Sequence, residues 1–239
     1  MKEKQKLGSW LLNAVYPRRC PICDGLLSPR EPYLCRNCVD RIHPILGARC
    51  KKCGKPVENE VEFCRGCSRT RHSFDRGFAP YGYHGELEAS LMRFKYHERQ
   101  EYAGFYAHAA FLYMGPQIRK RNPEVLVPVP LHPARQRQRG YNQAELFAKK
   151  MAEELNIPMD AHLICRVKKT KRQKELSPAE RRKNLEKAFA LAKPGQMKYR
   201  RVLLVDDIYT TGSTVDAIAS LLKQNGAQQV DFLCAAIVK

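Results

Sequence analysis

Hydrophobic positions follow three regimes along the chain. Up to about residue 74 they show little period and are broken up by Cys, Pro and Arg. Such a stretch buries too little apolar surface to form a core without a metal. At its start, LGSWLLNAVYP (7–17) predicts a short helix with Ser9 as N-cap and Trp10, Leu11, Leu12 and Val15 packed on a neighbour. From 74 to 97, FDRGFAPYGYHGELEASLMRFKYH is first aromatic and alternating, then helical, with Leu87, Leu91 and Phe94 on one face. A second amphipathic stretch, YAGFYAHAAFLYM (102–114), follows. After that the pattern is strand, helix, strand. VLVPVP (125–130) predicts a short buried strand, and NQAELFAKKMAEEL (142–155) a helix with Ala144, Phe147, Met151 and Leu155 inward. RVLLV (201–205) predicts a buried strand. It leads to a helix from about Ser213, with Val215, Ile218, Ala219 and Leu222 inward and Gly226 just past its end. VDFLCAAIV (230–238) predicts the last strand. Strands alternating with helices argue for a parallel α/β sheet. Between these units, 163–191 has two apolar ends around a polar, basic centre, which predicts two strands joined by a long mobile loop over about 168–184. We therefore expect a small unit over 1–74 and an α/β domain over 75–239.

Composition adds a charge argument. The 239 residues carry 43 Lys+Arg against 24 Asp+Glu, a net charge of +19. Such a balance favours nucleic acid, phosphorylated small molecules or an acidic membrane face as partners. The basic residues cluster in the Cys-rich segment, at 135–139, and from Arg166 through Lys183. No apolar run approaches the ~20 residues of a membrane-spanning helix. The apolar N-terminal stretch is too short, and lacks the small-residue cleavage site of a signal peptide, so the expected compartment is the cytoplasm.

Eight of the ten cysteines form C-x2-C pairs: Cys20/Cys23, Cys35/Cys38, Cys50/Cys53 and Cys64/Cys67. In a reducing compartment this repeated spacing reads as zinc knuckles, two of which complete a tetrahedral sulfur shell. CPICDG and CKKCGK resemble each other and suggest a duplicated unit. Two structural Zn2+ ions are expected, with the knuckles paired either sequentially or interleaved. Cys165 and Cys234 lie in apolar runs and read as core residues.

The stretch VLLVDDIYTTGSTV (202–215) carries the chemistry. A buried strand ends in Asp206 and Asp207, and a turn rich in hydroxyls (Thr210, Thr211, Gly212, Ser213, Thr214) opens a helix. Ligands of open α/β sheets bind outside the carboxyl ends of strands. Free N–H groups and the dipole at a helix start attract anions. Gly212 admits close backbone approach. Two carboxylates beside an anion cradle suit a ligand that also presents hydroxyls or a bound Mg2+, which points to a ribose 5-phosphate group. No G-x-x-x-x-G-K-[ST] is present. A phospho-receiver site would leave the hydroxyl-rich turn unexplained.

These residues resemble the phosphoribosyl pyrophosphate (PRPP) motif of type I phosphoribosyltransferases. A second stretch, VPVPLHPARQRQRGYNQAELFAKKMA (127–152), resembles the ComF family, whose members carry P-V-P-L-x-x-x-R-x-x-x-R-G-[YF]-N-Q before the PRPP motif. Four knuckles at the N-terminus fit the same family. The resemblance spans essentially the whole chain. It implies a type I phosphoribosyltransferase-like parallel sheet with a flexible hood, preceded by a small four-cysteine zinc-binding domain. It further implies a part in DNA uptake during natural transformation, handling single-stranded DNA with a competence helicase. On this resemblance Asp206 and Asp207 would hold ribose hydroxyls and, through Mg2+, the pyrophosphate. His132, Ala134 and Arg135 would form the pyrophosphate turn, and 168–183 a mobile cover over bound substrate. Arg135, Arg137, Arg139, Lys168, Lys169, Lys171 and Arg172 are the nucleic-acid-binding candidates. Tyr81, Tyr83 and Tyr141 offer rings for base stacking, although packing inside the hood is expected for at least two. A transferase acting on an unidentified acceptor is the alternative to a DNA-handling protein.

Overall fold

The computed structural model describes residues 17–167 and 187–238. The expected N-terminal helix and the loop over 168–184, with Lys168, Lys169, Lys171 and Arg172, lie outside the described residues.

The Cys-rich segment is a duplication in geometry as well as in sequence. In both knuckles the first Cys N–H donates to the carbonyl five residues on, Cys20 to Gly25 and Cys50 to Lys55. In both, the residue four after that Cys has positive φ, Asp24 at 58° and Gly54 at 77°. The second Cys pair of each unit opens a short helical turn. Cys35 precedes a 3-10 turn, Arg36–Arg41, and Cys64 precedes helix α1, Arg65–Arg69. An isolated antiparallel bridge closes each unit, Arg19 with Leu26 and Arg49 with Pro56.

The main sheet is parallel. Strands β1 (Gly77–Phe78) and β2 (Tyr81–Gly82) both pair with β7 (Gln229–Ile237). Next to β7 lies β6 (Arg201–Tyr209), and beyond it β3 (Val125–Pro128). Helix α2 (Gly85–Tyr96) buries Leu87, Leu91 and Phe94 as its period requires. Helix α3 (Tyr102–Arg121) packs on α5 (Gln143–Leu155), which buries Ala144, Phe147, Met151 and Leu155. Between β3 and α5 runs α4 (Pro133–Arg139). Helix α6 (Ser213–Gln224) follows β6 and buries Val215, Ile218, Ala219 and Leu222. Strands β4 (Ile164–Arg166) and β5 (Phe189–Leu191) form a separate antiparallel pair, as the apolar ends of 163–191 predict.

Two cores flank the sheet. One collects α2, α3 and α5 with Leu203 and Val205, and takes in Cys20, Ile22 and Cys38 of the first ribbon. The other collects α6, β4 and β5 with Val202 and Leu204, and takes in Cys50 and Cys53 of the second ribbon and Phe74. Each ribbon therefore seals one face of the sheet.

Two details differ from the pattern-based expectation. β6 does not stop at Val205; it continues to Tyr209, with Asp206 opposite Cys234 and Ile208 opposite Ala236. Strict alternation would place Tyr209 with Val205, but it joins the core of Val202 and Leu204, so the two-residue period breaks at the carboxylates. Residues 133–139, expected as a turn and basic loop, are helical. Pro133 opens α4, and the His132 ring nitrogen accepts from the Ala134 N–H at 3.1 Å. Of the cysteines outside the knuckles, Cys234 is fully buried, whereas Cys165 keeps partial exposure.

Candidate functional site

The eight knuckle cysteines gather as two four-cysteine groups, Cys20/Cys23/Cys35/Cys38 and Cys50/Cys53/Cys64/Cys67, the sequential pairing. Within each group the ligand atoms lie within 4.8 Å of one another, with Cys23 and Cys35 Sγ at 3.7 Å and Cys53 and Cys64 Sγ at 3.6 Å. A tetrahedral zinc with bonds of about 2.3 Å needs sulfurs about 3.8 Å apart, so the donor sets fit zinc. Burial foremost, together with the neighbouring thiols, pushes Cys38 and Cys67 up to about 12. Four thiolates share such a space around a cation. Neither His43 nor His72 belongs to a group.

The carboxylates lie at the carboxyl end of the sheet. The Asp207 backbone N–H donates to Asp206 Oδ1 at 2.9 Å, which fixes the Asp206 carboxylate against the backbone of its neighbour. Burial, and then the adjacent Asp207 charge, pushes the Asp206 carboxyl up to about 7. Asp207 receives a counter-charge from the other side of the sheet: Lys95 Nζ of α2 stands 3.0 Å from its Oδ2, both side chains being largely enclosed. The positive charges of Lys95 and then of Arg166 in β4 pull Asp206 partly back down. Burial, and then the positive charge of Arg135, lower the Arg166 guanidinium from its usual value.

Downstream of Tyr209 the chain turns sharply. Gly212 has φ 79° and ψ 0°, and a Cβ there would fall 2.5 Å from the Tyr209 hydroxyl. Only glycine fits. The Gly212 carbonyl accepts from the Asp216 N–H at 2.8 Å, and no side chain caps the start of α6. The Thr211 and Ser213 hydroxyls lie 2.9 Å apart, and Thr210 and Thr211 are exposed. Free N–H groups at an uncapped helix start, with four hydroxyl side chains around it, can take an anion.

Arg135 and Arg137 of α4 are exposed. Arg139 has another occupation. Its guanidinium lies 4.6 Å from the Tyr96 ring centre and donates to the Tyr96 hydroxyl at 2.9 Å and to Gln143 Oε1 at 3.0 Å. The Tyr141 hydroxyl donates to the Phe94 carbonyl, and the Gln143 amide to the Lys95 carbonyl at 3.3 Å. Alternate residues of R-G-Y-N-Q thus grip three consecutive residues of α2 and hold Lys95 against Asp207. Asn142 caps α5 through the Ala144 N–H. Tyr81 and Tyr141 are buried, so of the three tyrosines only Tyr83 keeps part of its ring exposed. Lys95 escaped the sequence reading, and Arg166 was read only as the start of a basic cluster, because no local spacing marks either as a partner of the carboxylates.

Comparison with known proteins agrees with this arrangement. A double zinc ribbon domain model matches residues 11–68, and a phosphoribosyl transferase domain model matches 142–237. Competence protein F of Haemophilus influenzae is 35% identical over 218 residues, covering 89% of this chain and 93% of that protein. The chain belongs to the ComF family. DNA utilization protein YhgH of Salmonella typhimurium is 31% identical over 223 residues, covering 91% of this chain and 96% of that protein. Competence protein ComFC of Bacillus subtilis is 29% identical over 225 residues, covering 87% and 89% respectively. In this ComF-family chain a double zinc ribbon adjoins a phosphoribosyltransferase-like parallel sheet. Among the described residues no helix is long and apolar enough to cross a membrane.

Proposed function

We propose that this protein binds PRPP at the 206–214 segment and handles single-stranded DNA in the cytoplasm during natural transformation, beside a competence helicase. The observation that carries the ligand is the uncapped, hydroxyl-lined turn at Gly212, immediately after a carboxylate pair on the same strand. On this reading the turn takes the 5-phosphate through the α6 N–H groups and the Thr210, Thr211, Ser213 and Thr214 hydroxyls. Asp206 and Asp207 accept from the ribose hydroxyls. Mg2+, when bound, would neutralise the pyrophosphate next to these carboxylates. His132, Ala134 and Arg135 at the start of α4 face the pyrophosphate end. Support for the DNA half comes from the net charge of +19, the exposed Arg135 and Arg137, and the competence and DNA-utilization names of the relatives. The basic run with Lys168, Lys169, Lys171 and Arg172 adds further positive charge in the sequence.

The enclosed acid pair favours a second reading, an active phosphoribosyltransferase. Pyrophosphate would leave the anomeric carbon with its bonding electrons. A nucleophilic atom of an acceptor would form the new bond and lose its proton. Carboxylates near the ring would stabilise the oxocarbenium-like transition state. Titration calorimetry with PRPP and Mg2+, repeated with single-stranded oligonucleotide present, tests the proposal. Binding that oligonucleotide reduces supports a shared groove. No heat with PRPP refutes the ligand assignment.

A further inference from the structure

The second ribbon is linked to the ligand turn through Tyr209 and through the segment 72–74 that follows it, by contacts that the proposed binding does not use. Its knuckle lies on β1: the Gly77 N–H donates to the Lys52 carbonyl at 2.8 Å, and a Cβ on Gly54 would fall 2.6 Å from the Gly77 carbonyl oxygen. Backbone here meets backbone with no room for adjustment. From the ribbon the chain passes to His72, Ser73 and Phe74. Phe74 is fully buried and meets both Tyr209 and Phe232 edge-on, with ring centres 6.2 and 4.9 Å apart. Tyr209 stacks on Phe232 at 4.6 Å, and Lys55 of the ribbon reaches to 5.9 Å from the Tyr209 ring centre. The same tyrosine carries the hydroxyl against which Gly212 turns.

A second link runs beside the first. His72 Nδ1 lies 3.0 Å from Asp216 Oδ2, and the Ser73 N–H donates to Asp216 Oδ1 at 2.6 Å. The His72 side chain is 7% exposed and that of Asp216 15%. Asp216 sits in the first turn of α6, and its own N–H holds the Gly212 carbonyl. His72 also stacks on Phe74 at 4.7 Å, so the two links share a base. Among the described residues the first ribbon shows no such route. It is held by Arg93, which donates to the Pro21 and Ile22 carbonyls, and by Arg99 and Tyr102, which bind Asp24. These contacts lie on the other face of the sheet.

We infer that the second zinc ribbon positions the ligand turn, with Tyr209 and His72 as positioning residues acting through Gly212 and Asp216. Metal in this ribbon and ligand in the turn then favour one another's binding, because a coupling free energy is reciprocal. The ligand half of this inference rests on the PRPP reading; the positioning half does not.

Amide hydrogen exchange on the full, zinc-loaded chain separates the two. His72→Ala should keep two zinc ions per chain yet exchange about tenfold faster over 210–216, with β3 at 125–128 unchanged. His72→Asn, whose amide can reach Asp216, should restore the wild-type rate. Cys64→Ser with Cys67→Ser should loosen the same turn, whereas Cys20→Ser with Cys23→Ser should loosen α2 and α3 instead. If His72→Ala leaves 210–216 unchanged, or if the first-ribbon variant loosens the turn as much as the second, the inference is overturned. In the ligand arm, PRPP should slow release of zinc from the second ribbon to a colorimetric chelator. Wild-type protein that binds no PRPP would overturn the ligand reading, and the exchange rates would still decide the positioning role.

Discussion

At single positions the site combines a conformational demand at Gly212 with electrostatic demands at Asp206 and Lys95. Gly212 must hold a left-handed conformation against the Tyr209 hydroxyl. Gly212→Ala should therefore cost about 1–3 kcal/mol, through backbone strain and the clash, and lower the melting temperature by several degrees. Scanning calorimetry at fixed zinc reads it. Asp206 makes the opposite kind of demand. Its carboxyl is pushed up to about 7 in the fold, above the ordinary value of 3.8. The folded protein then holds a proton that the unfolded chain has released, so stability falls as pH rises from about 4 to about 7 and stays low above that. Asp206→Asn removes this dependence. In the absence of ligand its stability gain over wild type should grow between pH 5 and pH 8; a gain independent of pH would contradict the account. Lys95 offsets part of the cost of burying Asp207. Replacing it with Met should destabilise by about 1–3 kcal/mol, less than for a fully buried pair because both groups keep some exposure.

Among the elements, those with a clean period were legible in advance. The inward residues of α2, α5 and α6 and the parallel strands β3, β6 and β7 follow from apolar spacing alone. The four-cysteine groups follow from C-x2-C spacing, though geometry was needed to choose the sequential pairing. Other features depend on long-range partners. β6 reads as ending at its carboxylates, yet pairing with β7 carries it on to Tyr209. Without an apolar face, PARQRQR reads as a loop, although Pro133 and the His132 cap open a helix there. The His72–Asp216 link spans 144 positions and has no local signature. Removal of zinc should therefore act element by element. Chelation is expected to unfold the ribbons, which bury little core of their own, before the main sheet melts. Circular dichroism and elemental analysis during chelator titration should show loss of two zinc ions preceding loss of helix. Simultaneous loss, or freshly purified protein without zinc, would contradict this.

The molecule as a whole is a parallel sheet with one ribbon on each face and a carboxylate–turn site at its carboxyl end. On the proposed DNA role, its net charge of +19 would make binding a matter of phosphate contacts. Affinity for a single-stranded oligonucleotide should fall with salt at a slope of about −0.7 per phosphate contact. Arg135→Ala and Arg137→Ala should each reduce that slope. Arg139→Ala should act mainly on stability, because Arg139 is committed to Tyr96 and Gln143. Salt-independent affinity would contradict the DNA reading and leave the nucleotide site standing. The PRPP site carries the proposed function. It is tested most directly by titration calorimetry of PRPP with Mg2+ into wild-type protein and into the Asp206→Asn, Asp207→Asn double variant, with zinc content checked in both. Saturable binding to wild type is expected, with a loss of at least about tenfold in affinity, equal to about 1.4 kcal/mol, in a folded double variant. Equal affinity in the two proteins would contradict it.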